Sequence, residues 1–173
     1  IDAAGHPALL VVDCIASLGC DEFHMDAWGV DVMVAACQKG LMTPPGMSFV
    51  WFSEAARSAC AGGDLATPYW AWSPRAEPSE FWQIWDGTAP TSHLFGLREA
   101  LDMLHEEGMP QVWSRHRVLA GAVWAAFDAW GAGNPAIAMN VADPAQRGWS
   151  VTAARIGAPD ATRLRHWCET SAG

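Results

Sequence analysis

The chain has 173 residues, of which 51% are hydrophobic and 17% charged, a balance that folds around a core and excludes a disordered segment. Its formal charge of −9 and pI near 4.9 exclude nucleic acid and anionic membrane surfaces as natural partners. The apolar stretches are too short to cross a bilayer, and no signal-peptide pattern follows Ile1.

In chain order, Ala8 to Asp13 is a continuous apolar run closed by an acid, the pattern of a strand buried on both faces. Ile15 to Gly29 reads as a loop, Val30 to Cys37 as a second buried strand, and the aromatic, β-branched Ser48 to Ser53 as a third. Ser53 is a good N-cap for a short helix over Glu54 to Ala61. Gly62 to Gly87, with its prolines and tryptophans, reads as irregular, and Gly62-Gly63-Asp64 as a turn. Leu94, Leu97, Leu101 and Leu104 recur at helical spacing over Ser92 to Glu107, with Gly108 as the stop. Pro110 opens a long helix to about Trp130, with Val112, Leu119, Val123 and Phe127 expected on one face. Arg147 to Ile156 reads as a strand and Asp160 to Ser171 as a helix. Buried strands with connectors predict an α/β fold, with functional residues at strand ends. The chain's ends read as those of a piece of a longer enzyme.

Five scattered cysteines without a C-x-x-C pair argue against zinc and dithiol chemistry and for reduced thiols in the cytoplasm, Cys37 being read as a small buried hydrophobe. The six histidines show no H-x-x-x-H spacing, so no metal is expected. His116 reads as a packed helix residue, and His105 and His166 as solvated. Trp113, Trp124, Trp130 and Trp167 fall at helical positions that suit core or interface packing.

The composition holds one lysine, Lys39, against nine arginines. An arginine can replace a solvating charge but cannot be deprotonated to form an imine. Lys39 closes the second apolar run as Asp13 closes the first. In an α/β sheet such ends share the edge where ligands bind. Acid and lysine there suit pyridoxal phosphate, which takes an imine to its aldehyde and a carboxylate to its pyridine nitrogen. Spacing alone leaves open a structural salt bridge.

A wider pattern narrows the choice. Asp13-x-x-x-Ser17-Leu-Gly19, Met25-Asp-x-Trp28-Gly-Val-Asp31-Val and Gln38-Lys39-Gly-Leu-Met-x-Pro-Pro-Gly46-x-Ser48-Phe run in order. They resemble the class V pyridoxal-phosphate aminotransferases, most of all the serine–glyoxylate and alanine–glyoxylate branch. Tyr69-Trp-x-Trp72, Gly87-Thr88-x-Pro90, Leu97-Arg-Glu-Ala-Leu101, Trp113-x-Arg115-His116, Ser150-Val-Thr152 and Asp160-Ala-x-x-Leu164-Arg165 extend the likeness over nearly the whole chain. The resemblance implies the type I fold, with 1–109 in the large cofactor-binding domain, 110–131 an interdomain helix and 132–173 the start of the small domain.

It also implies residue roles. Lys39 would be the Schiff-base lysine, its charge disfavoured by burial. Asp13 would partner the pyridine nitrogen, Ile15 would pack on the ring, and Gln38 would lie near the phosphate. Thr88 would reach the phosphate in the neighbouring subunit of a homodimer. The chain departs from the family pattern at three places: Ala16 and Cys37 stand where serines are common, and Trp85 where some members carry a phosphate-binding tyrosine. The upstream phosphate turn, the aromatic stacked on the other ring face and the arginine that grips the substrate carboxylate find no counterpart. The expected reaction passes an amino group from serine, alanine or aspartate to glyoxylate. Other pyridoxal-phosphate chemistry on the same scaffold (pyridoxamine–pyruvate transfer or cysteine desulfuration) and a non-catalytic derivative are the alternatives.

Overall fold

The computed structural model describes residues 1–63, 67–157 and 160–172. Strands β1 (Val11–Asp13), β2 (Val32–Ala36) and β3 (Ser48–Phe52) form a sheet in the order β1-β2-β3. β1 runs parallel to β2, with Val11 opposite Val32 and Asp13 opposite Val34. β3 runs antiparallel to β2, from Val32 opposite Phe52 to Ala36 opposite Ser48. Asp31, just ahead of β2, ties all three together. Its Oδ2 accepts from Leu10 N at 2.8 Å, and its Oδ1 accepts from the Ser53 hydroxyl at 3.0 Å. Ser53 in turn caps helix α1 (Glu54–Ala61), its side chain accepting from Ala56 N.

The expectation of strands buried on both faces holds for β2 alone. Val11 is 61% exposed, and Val50 and Trp51 of β3 are also exposed. β1 and β3 are the two edges of a three-stranded sheet, so each has a strand neighbour on one side only. The apolar run before Asp13 forms a strand only from Val11.

After α1 come a short helix α2 (Ser73–Ala76) and 3₁₀ turns at Pro68–Trp70 and Phe81–Ile84, within the segment expected to be irregular. The expected turn at Asp64 lies outside the described residues. Helix α3 (Thr91–Glu107) stops at Gly108, whose φ of 84° favours glycine, and α4 (Met109–Gly133) starts at once with Pro110 in its first turn. Leu104 and Val112, facing each other across this corner, pack on Leu41. A second cluster joins Cys14, Val30, Met33 and Ala35, and Leu18 touches both.

The apolar stripe expected along α4 is corrected. Val112 is fully buried, but Leu119 is 58% exposed and Val123 is exposed as well. The covered side carries Val112 and Ala120, with His116 and Trp124 partly covered: His116 bonds to Val112 O one turn back in the same helix, and Trp124 donates to Thr152 on the facing chain. Trp130 and Trp167 are exposed, which corrects any core role for them, whereas Trp113 and Trp124 are partly covered. His105 and His166 are exposed as expected.

At the far end, β4 (Ile137–Met139) pairs antiparallel with β5 (Ala154–Ile156). The expected strand from Arg147 therefore shrinks to its last three residues, and residues 147–153 form an irregular strap. The chain ends in helix α5 (Asp160–Trp167) and a π turn, Cys168–Ala172. Among the described residues no helix is long and apolar enough to cross a membrane.

Candidate functional site

β1 ends in Asp13, and the chain turns immediately. Asp13 Oδ1 accepts from Ile15 N at 2.8 Å, which fixes the carboxylate. No donor to its Oδ2 stands among the described residues. Cys14 N reaches back to Val34 O at 2.8 Å, and Leu18 N to Cys14 O at 2.9 Å, so the loop curls tightly over the end of the sheet.

The curl meets the turn that follows β2. Gly19 has φ +85°, and a Cβ on Gly40 would run into the Leu18 carbonyl oxygen and the Cys20 sulfur. Only a bare backbone at position 40 lets the loop after Asp13 and the turn carrying Lys39 lie against each other. Lys39 stands three residues beyond β2 and is exposed, which corrects the expectation of a buried amine. Its ammonium enters no hydrogen bond or ion pair among the described residues.

Below it the turn is knotted. The Thr43 hydroxyl donates to Cys37 O at 2.9 Å, and Thr43 N donates to the same carbonyl at 3.2 Å. The fully buried Cys37 thiol donates to Pro44 O at 3.1 Å and accepts from Met47 N at 3.3 Å. Burial pushes this thiol up, but hydrogen bonding to Thr43 and to the backbone of Met47 and Gly46 outweighs it and holds the thiol below its ordinary value. The reading of Cys37 as a small buried residue stands, and it is also a hydrogen-bonded strut.

Lys39 lines a cleft of about 410 Å³. Ala16 and Cys20 come from the loop after β1, and Gly40 and Met42 from the lysine turn. Leu104 of α3 and Arg115 and His116 of α4 form the back, and Ser150 and Val151 of the strap close a further side. Arg115 forks onto Glu107 with two 2.8 Å bonds. That pair holds the Glu107 carboxyl below the usual carboxylate range and the guanidinium above its own. The nearby Cys20 thiol is pushed up by burial first and by Asp21 second, with Arg115 opposing. His116 Nδ1 lies 2.8 Å from Val112 O; a carbonyl only accepts, so Nδ1 carries the proton.

Of the residues singled out in the sequence, Lys39 opens on the cleft. The loop from Asp13 reaches it through Ala16. Asp13, Ile15 and Gln38 are exposed at the sheet end and are not in its lining, and Thr88 is exposed in the turn before α3, away from it. Sequence reasoning missed Cys20, Arg115, Ser150 and Val151 as lining residues and gave His116 only a packing role. The Arg115-His116 pair was visible within a matched motif, but nothing in it said which cleft the pair faces. Among the described residues no three His, Cys, Asp or Glu side chains gather to hold a metal ion.

Comparison with known proteins gives the family and the fold. Residues 2–170 match the family described as aminotransferase class V. A serine–glyoxylate aminotransferase of Methylorubrum extorquens is 43% identical over 138 residues, 76% of this chain and 34% of that protein. An L-aspartate–glyoxylate aminotransferase of Paracoccus denitrificans is 38% identical over 142 residues, 76% of this chain and 33% of its own. The chain thus spans about a third of the length of these relatives. The crystal structure of an alanine–glyoxylate aminotransferase from Nostoc sp. superposes with a TM-score of 0.77 at 27% identity, covering 94% of this chain and 43% of that one. The fold is that of the type I pyridoxal-phosphate aminotransferases. With the motifs in order and a family match along nearly its whole length, this chain belongs to the class V aminotransferases.

Proposed function

We propose that this chain is the lysine-bearing part of a pyridoxal-phosphate aminotransferase that passes an amino group from serine, alanine or aspartate to glyoxylate, giving glycine. The observation that carries the reading is Lys39, the one lysine of the sequence, standing without a charge partner among the described residues on a cleft walled by the loop from Asp13. The free amine and the open Oδ2 of Asp13 fit what the cofactor asks for: a primary amine for its aldehyde and an acceptor for its pyridine N–H. When bound, pyridoxal phosphate supplies an aldehyde that exchanges amines and a ring that takes up the electrons released at the substrate Cα.

The residues divide the remaining work. With pyridoxal phosphate bound, Lys39 Nζ would hold its aldehyde, and as a free amine it would accept the proton from the substrate Cα. Asp13, pinned by Ile15 N, keeps the ring nitrogen protonated by accepting from it. Ile15 would pack on the ring, Gln38 would lie by the phosphate, and Thr88 would serve the phosphate in the other subunit of a homodimer. Residues 1–109 belong to the large domain, 110–131 to the helix between domains and 132–173 to the small domain. Five unpaired thiols suit a cytoplasmic setting.

Borohydride reduction in the presence of pyridoxal phosphate, followed by peptide mass mapping, tests the reading. Within this sequence Lys39 is the one side-chain primary amine. The expected result is a reduced cofactor adduct on the Lys39 peptide at micromolar cofactor, absent in Lys39→Ala with the fold retained. An intact protein that forms no adduct at Lys39, or a Lys39→Ala variant with normal turnover, overturns it. Transamination half-reactions with each donor then decide among serine, alanine and aspartate.

A further inference from the structure

The strap that closes the cleft has no regular structure of its own, so side chains must hold it. Three of its ties run towards α4 and the chain after β4. Arg147 donates from Nε to Val141 O at 2.9 Å and from Nη2 to Ala142 O at 3.1 Å, and its guanidinium lies 5.4 Å over the Trp124 ring. Trp124 Nε1 donates to the Thr152 hydroxyl at 3.2 Å. Arg117 lies 5.9 Å over the Trp149 ring.

The fourth tie comes from the opposite wall. Asp21 sits just past the loop after β1, held by its own N–H to Ser17 O at 2.9 Å. Its carboxylate accepts from two successive backbone amides, Trp149 N on Oδ1 at 2.5 Å and Ser150 N on Oδ2 at 3.3 Å. A half-buried carboxylate that takes two neighbouring N–H groups is an ionic clasp, stronger and more directional than a neutral hydrogen bond. It joins segments 128 residues apart. Cys20, next to Asp21, and Ser150, whose amide it holds, both line the cleft with Lys39.

We propose that Asp21 is a positioning residue for the substrate: it clasps the Ser150-Val151 wall of the cleft on which Lys39 opens, and so shapes the space that an α-amino acid or 2-oxo acid would enter. The proposal rests on the reading of Lys39 as the cofactor lysine. The clasp acts on the wall and leaves the lysine turn alone, which is fixed separately by Gly40 and Thr43. Losing it should therefore weaken substrate capture while leaving cofactor capture unchanged.

The test uses the intact protein with Asp21→Ala and Asp21→Asn. In Asp21→Ala the apparent KM for the amino donor should rise about tenfold with kcat changed by less than about threefold. Borohydride trapping at Lys39 should match the parent at every cofactor concentration, and the Ser150 amide should exchange with solvent about tenfold faster. Asp21→Asn keeps one oxygen acceptor and should fall between. Parental KM in Asp21→Ala, or a fall in trapping parallel to the fall in activity, overturns the clasp as a substrate-positioning device. If Asp21→Ala does not fold, Asp21→Asn decides by the same KM criterion. A parent protein that shows no trapping sinks the Lys39 reading and the clasp's role with it. Normal trapping with parental KM sinks the clasp alone.

Discussion

Thr43 is the one buried polar side chain in the described core, and it is engaged by a single backbone carbonyl. Its hydroxyl donates to Cys37 O, two residues before Lys39. Thr43→Val keeps the shape and removes that donor. The carbonyl retains the Thr43 amide, so the expected loss of stability is about 1–2 kcal/mol, read as a lower urea midpoint at unchanged slope. An unchanged midpoint would mean that the knot under Lys39 contributes nothing. Lys39 and Asp13 stood out in the sequence as candidates because each closes an apolar run and because one lysine among ten lysines and arginines is conspicuous. Asp21 was not. Its partners are amides 128 residues away, and a backbone N–H leaves no trace in residue type.

Among the elements, the helices were read closely because leucine spacing, Gly108 and Pro110 mark them locally; α3 and α4 start within one residue of the expected positions. The strands were harder. An apolar run states that a segment seeks cover, and cover for β1 depends on sheet neighbours rather than on its own residues. β4 was missed because Pro135-Ala-Ile-Ala-Met139 is short and weakly patterned. Glycine shows how context sets the sign of one substitution. Gly40→Ala would drive a methyl into the Leu18 backbone, a contact no side-chain rotation relieves, and should cost about 1–3 kcal/mol and reduce trapping at Lys39. Gly121→Ala meets nothing within 4 Å in the middle of α4 and should add about 0.5–1 kcal/mol through helix propensity. Thermal unfolding of the pair checks both signs; a Gly40→Ala protein as stable as the parent would contradict the packing of the two loops, and a destabilised Gly121→Ala the open helix face.

At the scale of the whole molecule, the aromatic segment ahead of Thr88 stays largely uncovered: Trp70 is 74% and Phe81 68% exposed, and Tyr69 and Trp82 are exposed as well. Exposed aromatics of this number suit a contact face, in keeping with the proposed subunit pairing around Thr88. A pairing that shares residues makes a prediction no single-subunit site allows. Thr88→Ala alone should weaken cofactor retention by about 1.5–3 kcal/mol, the worth of a hydrogen bond to a charged phosphate, or on the order of tenfold or more in Kd. Lys39→Ala alone should form no adduct. In a mixed dimer of the two variants, one site lacks both groups. The other joins the lysine of the Thr88→Ala subunit to the threonine of its partner, and is whole. Unfolding the variants together and refolding them as mixed dimers should therefore restore parental cofactor affinity at one site per dimer, read as borohydride adduct on the Lys39 peptide at low cofactor concentration. If Thr88 served its own subunit, every lysine in the mixed dimer would sit beside an alanine, and affinity would stay at the level of Thr88→Ala.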